Sequence, residues 1–214
     1  MLLVVALVFA FGIKTFFVQA FYIPSESMEP GLVKDDRTLV EKPSYWFGGQ
    51  PQRGDVVVFE DPRGWLDPAE SAAPTNPVSR ALTTIGLRPS GGFLVKRVIG
   101  VAGDTITCCD DQGRISVNGV ALDEDSYITP QTTCNGPMIH SCTWTAGPVP
   151  DGDIFVMGDN RANSRDSTVH LCPTTAARRC DPSDAFVPDD LVVGKVVARI
   201  WPLDRFTLVG RPDS

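Results

Sequence analysis

The opening run of the chain constrains it more than any other feature. Met1 to Ile23 carries one charged side chain, Lys14, and is otherwise apolar or small apart from Thr15, Gln19 and Tyr22. A helix that spans a bilayer needs about 20 mostly apolar residues. This stretch reaches that length when Lys14 snorkels toward a headgroup layer. A cleaved secretory signal is the competing reading, but it needs a basic leading segment and a small-x-small site, and neither is present. Residues 1–22 are therefore expected to form one N-terminal transmembrane helix that is retained as an anchor. Lys34, Arg37 and Lys42 follow the run and nothing basic precedes it. That is the reverse of the usual charge bias for an exported domain, yet long domains translocate largely regardless of charge. A basic segment ahead of Met1 would also resolve it.

Beyond the anchor the chain is acidic. All 26 Asp and Glu and all but one of the 19 Lys and Arg lie there, in a chain of formal charge −7. No basic surplus is available to neutralise phosphates, which excludes a dedicated nucleic-acid binder. Gly 19 and Pro 18 in 214 residues are too many for a helical bundle and favour a turn-rich β protein.

The cysteines point to the compartment. Cys108, Cys109, Cys134, Cys142, Cys172 and Cys180 all sit in loop-like, Pro/Thr/Asp-rich sequence. Cys134 with Cys142 and Cys172 with Cys180 would each close a short loop, as suits an oxidising, exported location. Their spacing does not match zinc ligation, and only His140 and His170 are available to help. Cys108 and Cys109 either pair with each other or elsewhere.

Arg37–Val40, Asp55–Glu60, Phe93–Val101, Asp153–Met157 and Leu191–Trp201 read as strands rich in β-branched residues. Arg114–Leu122 reads as a hairpin, because Asn118-Gly119 supplies the two positive-φ positions of a type I′ turn. Residues 61–92 carry five prolines with Ser and Ala between them and read as an excursion from the core. Within it, Val78–Leu87 has a short helical pattern that packs back on the core or touches a membrane. The part outside the membrane is expected to be mainly β.

Three elements carry chemistry. Pro24-Ser25-Glu26-Ser27-Met28-Glu29-Pro30 follows the anchor directly. A serine between prolines is ordinarily a turn residue. A nucleophile placed there would act at the bilayer face on tethered substrates. Lys96 is the second element. In Phe93-Leu94-Val95-Lys96-Arg97-Val98-Ile99, alternation puts Leu94, Lys96 and Val98 on one face and Val95, Arg97 and Ile99 on the other. Both faces are otherwise apolar, so at least one cation is desolvated or paired. Burial lowers a lysine's pKa, and a neutral amine can take a serine's proton without a histidine. Arginine stays charged and cannot do this. A charge that snorkels from an edge strand accounts for the same pattern. The third element, Gly158 to Ser167, is a polar, glycine-led turn with two Arg, two Asp and two Ser. A Ser-His-Asp triad is the rival, but both histidines lie in cysteine-bearing loops. No P-loop, dinucleotide-binding glycine pattern or His-Glu-x-x-His motif is present.

These elements, in this order, resemble the bacterial type I signal peptidases, membrane-anchored serine–lysine endopeptidases. The matching stretches are Phe21 to Pro30, Arg53 to Phe59, Lys96 to Asp104, and Gly158-Asp159-Asn160-Arg161 through Asp166-Ser167. The resemblance implies an antiparallel-sheet catalytic core at 23–107 and 151–214, with a smaller β lobe inserted at 108–150. It implies removal of N-terminal signal peptides from exported preproteins at Ala-x-Ala-like sites. The work would be done on the extracytoplasmic side of the cytoplasmic membrane, by a single-pass protein in contact with the lipid bilayer, with no cofactor. Ser27 would be the nucleophile and Lys96 the general base, acting through an acyl-enzyme. Ser25 and the Ser27 amide would form the oxyanion hole, and Ser164 would orient the Lys96 amine. Asp159 would pair with Arg97, and Asp166 would brace the turn. Ile23, Met28, Leu94 and Val95 would line pockets for small side chains. The family usually has an arginine after the last Asp-Ser; here Thr168 stands in that place, which leaves the bracing of Asp166 open. Three other readings explain part of the pattern: a serine–lysine protease with one narrow substrate, a non-catalytic membrane-tethered β domain that binds exported chains, and a disulfide-stabilised surface module.

Overall fold

The computed structural model describes residues 17–71, 76, 91–128, 143–172 and 180–212. The helix expected at Val78–Leu87 and the Cys134–Cys142 pair lie outside these residues, as does the anchor segment 1–16. Among the described residues no helix is long and apolar enough to cross a membrane.

Among the described residues twelve strands form two antiparallel sheets. The strands are β1 (Val18–Tyr22), β2 (Arg37–Glu41), β3 (Val56–Glu60), β4 (Phe93–Gly100), β5 (Ile106–Cys108), β6 (Ser116–Val117), β7 (Val120–Ala121), β8 (Trp144–Ala146), β9 (Asp153–Met157), β10 (Val187–Pro188), β11 (Val192–Trp201) and β12 (Thr207–Leu208). The large sheet runs β1-β2-β11-β3-β4-β9-β10, with β12 paired to β11. The small sheet runs β7-β6-β5-β8. A short α-helix, α1, covers Pro68–Ser71.

β1 corrects the expected span of the anchor. Residues 18–22 are not helical but pair with β2, from Val18 opposite Glu41 to Tyr22 opposite Arg37, and Phe21 is buried in the core. An apolar run reads alike as buried strand and as membrane helix, so periodicity could not place the change.

The central strands are apolar on both faces because both faces are covered. Val56, Val58 and Val196 pack with Phe21, Ile23, Met28 and Leu32 on one side. Val57, Phe59, Leu94 and Val98 pack with Trp65, Ile154 and Val156 on the other. A third cluster joins the sheets through Ile99, Ile106, Val117 and Phe155. Asn118 and Gly119 take φ of 53° and 80°, the hairpin conformation expected between β6 and β7.

The start of the excursion belongs to the core. Asp61 accepts hydrogen bonds from the Trp65 and Leu66 amides, at 2.7 and 3.2 Å, and so turns the chain back. Trp65 is then buried against Phe59 and stacked on His170, with ring centres 4.5 Å apart. Cys172 is bonded to Cys180, and Cys108 to Cys109.

Candidate active site

Ser27 lies in the loop that leaves β1. The loop is fixed before the serine by Ile23, whose amide donates to the Asp36 carbonyl at 2.9 Å. After the serine, Met28 and Leu32 are buried, and the Leu32 amide donates to the Met28 carbonyl at 2.9 Å. Apolar anchors on both sides hold a polar tip at the surface of the core. Ser27 itself is 7 % exposed.

Lys96 comes from the middle of β4, opposite Val57 on β3, and is 4 % exposed. Its Nζ is 2.6 Å from Ser27 Oγ. Burial lowers the amine's pKa from 10.5 to about 8, while the carboxylates of Asp166 and Asp159 pull it back up. A lysine near pH 8 exchanges a proton readily, and its only hydrogen-bond partner among the described residues is the serine hydroxyl. Ser25 Oγ is 3.2 Å from Ser27 Oγ. Among the described residues nothing accepts a hydrogen bond from the Ser27 amide.

The glycine-led turn closes the site from a third direction. Asn160 donates from its amide to the Ser27 carbonyl and from its side chain to the Glu26 carbonyl, each at 3.1 Å. Arg97, next to Lys96 on β4, makes a two-pronged pair with Asp159, both contacts at 2.7 Å. Its remaining arm donates to the Gly54 carbonyl at 2.9 Å. Gly54 stands between Arg53, which is paired with Asp104, and Asp55, which is paired with Arg211. The stretches Arg53 to Phe59, Lys96 to Asp104 and Gly158 to Ser167 are thus tied into one framework.

Asp166 is fully engaged. One oxygen accepts from Ser164 Oγ at 2.5 Å and from the Gly158 amide at 2.9 Å. The other accepts from the Thr168 amide at 3.1 Å and the Thr168 hydroxyl at 2.7 Å. Thr168 thus braces the carboxylate where an arginine was expected. The Ser164 hydroxyl is committed to Asp166 and makes no hydrogen bond to the Lys96 amine. His170, the described histidine, stacks on Trp65 away from Ser27, and burial lowers its pKa.

A groove of about 420 Å³ opens over Ser27 and Lys96. Ile23, Met28, Leu94 and Val95 all line it, as do Leu66, Asp67, Asn163 and Arg165 from the excursion and the glycine-led turn. Sequence reading missed this second wall. It also missed Glu124 and Tyr127, which reach the turn from the small sheet and carry no local signature. Among the described residues no group of acidic, histidine or cysteine side chains is arranged to hold a metal.

A serine hydroxyl in contact with a buried amine beneath a groove is an arrangement capable of acyl transfer without a metal. The chain belongs to the signal peptidase family, peptidase S26, whose model matches residues 1–201. It is 41% identical to signal peptidase I of Mycobacterium tuberculosis, over 97% of this chain and 73% of that one. It is 38% identical to a probable signal peptidase I of Mycobacterium leprae, over 100% and 78%. To signal peptidase I of Leptolyngbya laminosa it is 34% identical, over 98% and 81%.

Proposed function

We propose that the protein removes N-terminal signal peptides from exported preproteins at the outer face of the cytoplasmic membrane, with Ser27 as nucleophile and Lys96 as general base. The observation that carries this reading is the 2.6 Å contact between Lys96 Nζ and Ser27 Oγ, made by an amine whose pKa burial has brought to about 8.

Neutral Lys96 takes the Ser27 proton as Oγ attacks the scissile carbonyl. The Ser27 amide and the Ser25 hydroxyl donate to the oxyanion; a donor of this kind contributes about 3–4 kcal/mol to the transition state. Lys96 then gives its proton to the departing amine. Water, deprotonated by the same lysine, hydrolyses the acyl-enzyme. Asp166 and Asp159 oppose the effect of burial and raise the basicity of the amine. The apolar lining at Ile23, Met28, Leu94 and Val95 suits small side chains beside the cleaved bond, as in an Ala-x-Ala site.

The membrane setting rests on the apolar residues 1–16 and on an aromatic cluster built on Phe17, which follows them. Phe17 is exposed and lies 5.3 Å from Trp46, which in turn meets the fully exposed Phe47 at 6.4 Å. A tryptophan such as Trp46 favours the headgroup layer. A span ending there would leave β1 and the turn after it between the bilayer and Ser27.

The test is cleavage of a preprotein bearing an Ala-x-Ala site by the detergent-solubilised protein, with sequencing of the new N-terminus. Cleavage after the final alanine that disappears in Ser27→Ala and Lys96→Ala supports the reading. Cleavage that survives in either variant overturns the assignment of the pair.

A further inference from the structure

The segment that leaves the small sheet turns back at Glu124, whose carbonyl accepts from the Tyr127 and Ile128 amides, both at 3.1 Å. The turn delivers Glu124 to Arg161 of the glycine-led turn and Tyr127 to Arg97 on β4. Glu124 is 5 % exposed and pairs through both oxygens with Arg161, itself 6 % exposed. Arg161 Nε donates to the Gly158 carbonyl at 3.0 Å. Tyr127 donates its hydroxyl to Glu124 at 2.8 Å and lays its ring under Arg97, 4.1 Å from the guanidinium carbon.

Both side chains therefore end on groups that hold the reacting pair. Arg161 fixes Gly158, and two residues on, the Asn160 amide fixes the Ser27 carbonyl at 3.1 Å. Arg97 fixes Asp159 and is the chain neighbour of Lys96. A buried ion pair is weak evidence of a stabilising role, because desolvating both charges offsets most of their attraction. Holding a backbone turn in one place is a better account of a pair spent on a single carbonyl.

We propose that Glu124 and Tyr127 are positioning residues, which fix the Gly158–Asn160 turn and Arg97 and thereby hold Ser27 in attacking distance of the scissile carbonyl. This rests on the reading of Ser27 and Lys96 as the reacting pair. The segment that follows the small sheet is then part of the framework that positions the reacting pair.

The experiment compares Glu124→Gln, Tyr127→Leu and Tyr127→Phe in the full chain, with kcat and KM measured per folded molecule on the Ala-x-Ala preprotein. Misplacing a reacting group by about an ångström costs on the order of a hundredfold. Glu124→Gln and Tyr127→Leu should lower kcat about ten- to a hundredfold, with KM within about threefold. Tyr127→Phe keeps the ring under Arg97 and should stay within about threefold of wild type. The acid limb of the pH profile should not move, because the carboxylates acting on Lys96 are Asp166 and Asp159. Variants that melt earlier yet keep wild-type kcat per folded molecule overturn the proposal, as does an equal loss in Tyr127→Phe and Tyr127→Leu. A Ser27→Ala control separates the two levels. If it still cleaves, the nucleophile is misassigned; if it is inert while Glu124→Gln is fully active, only the positioning role fails.

Discussion

Gly158 packs its Cα against the carbonyl oxygen of Ser27 so closely that a Cβ would overlap that oxygen and the Ser164 hydroxyl as well. The glycine is needed here for space. One contact point therefore sets how near the turn and the nucleophile loop approach one another.

Gly158→Ala should push the Ser27 loop outward and lower kcat by about tenfold or more. Overpacking of this kind also costs about 1–3 kcal/mol of stability. Steady-state cleavage and thermal melts of the same preparation measure both, and full activity in the alanine variant would show that the contact is slack.

The pH dependence follows from Lys96. In the proposed mechanism the reactive form is the neutral amine, so kcat/KM should rise with pH through about 8. Asp166 raises the pKa of Lys96, so Asp166→Asn should move this limb to lower pH even as the ceiling falls. A profile measured from about pH 6 to 10 on both proteins decides it; a limb that stays in place would mean that another group limits the reaction.

Lys96 also costs stability. Its folded pKa of about 8 lies below the unfolded 10.5, so unfolding binds a proton between those values and stability rises with pH across that window. Below pH 8 the native protein carries a buried cation at full cost. Lys96→Met should therefore melt roughly 2–4 °C higher at about pH 7, and the gain should shrink as pH approaches 10.5. Calorimetry at both ends of the window checks it.

Thr168 gives Asp166 two donors, the hydroxyl and the amide. Thr168→Val removes the hydroxyl alone. A hydrogen bond to a charged group contributes about 1.5–3 kcal/mol, and partial exposure at Thr168 reduces the expected loss to about 1 kcal/mol. Urea unfolding should show that loss, with cleavage reduced in step as Asp166 loosens its hold on Ser164.

Much of the large sheet was legible because β2, β3, β4, β9 and β11 are β-branched runs bounded by turn residues. Lys96 was legible because a cation in the middle of such a run has few uses. The start of β1 was not, since Val18 to Tyr22 belongs to an apolar stretch that a helix would share. Trp65 was read as part of an excursion, and its packing on Phe59 and its stacking on His170, far along the chain, bring it inside. Glu124 and Tyr127 were invisible for the same reason: their partners, Arg161 and Arg97, lie far away in sequence. Thr168 was noticed as a departure from the family pattern, but the pattern did not say that a hydroxyl and an amide could do an arginine's work.

β11, residues Val192–Trp201, lies between β2 and β3 in the large sheet. The serine arrives beside β1 and β2, and the lysine arrives on β4 beside β3. β11 is the strand through which these two halves of the sheet are hydrogen-bonded. A substitution that weakened the pairing of β11 would therefore loosen the hydroxyl from the amine while touching neither.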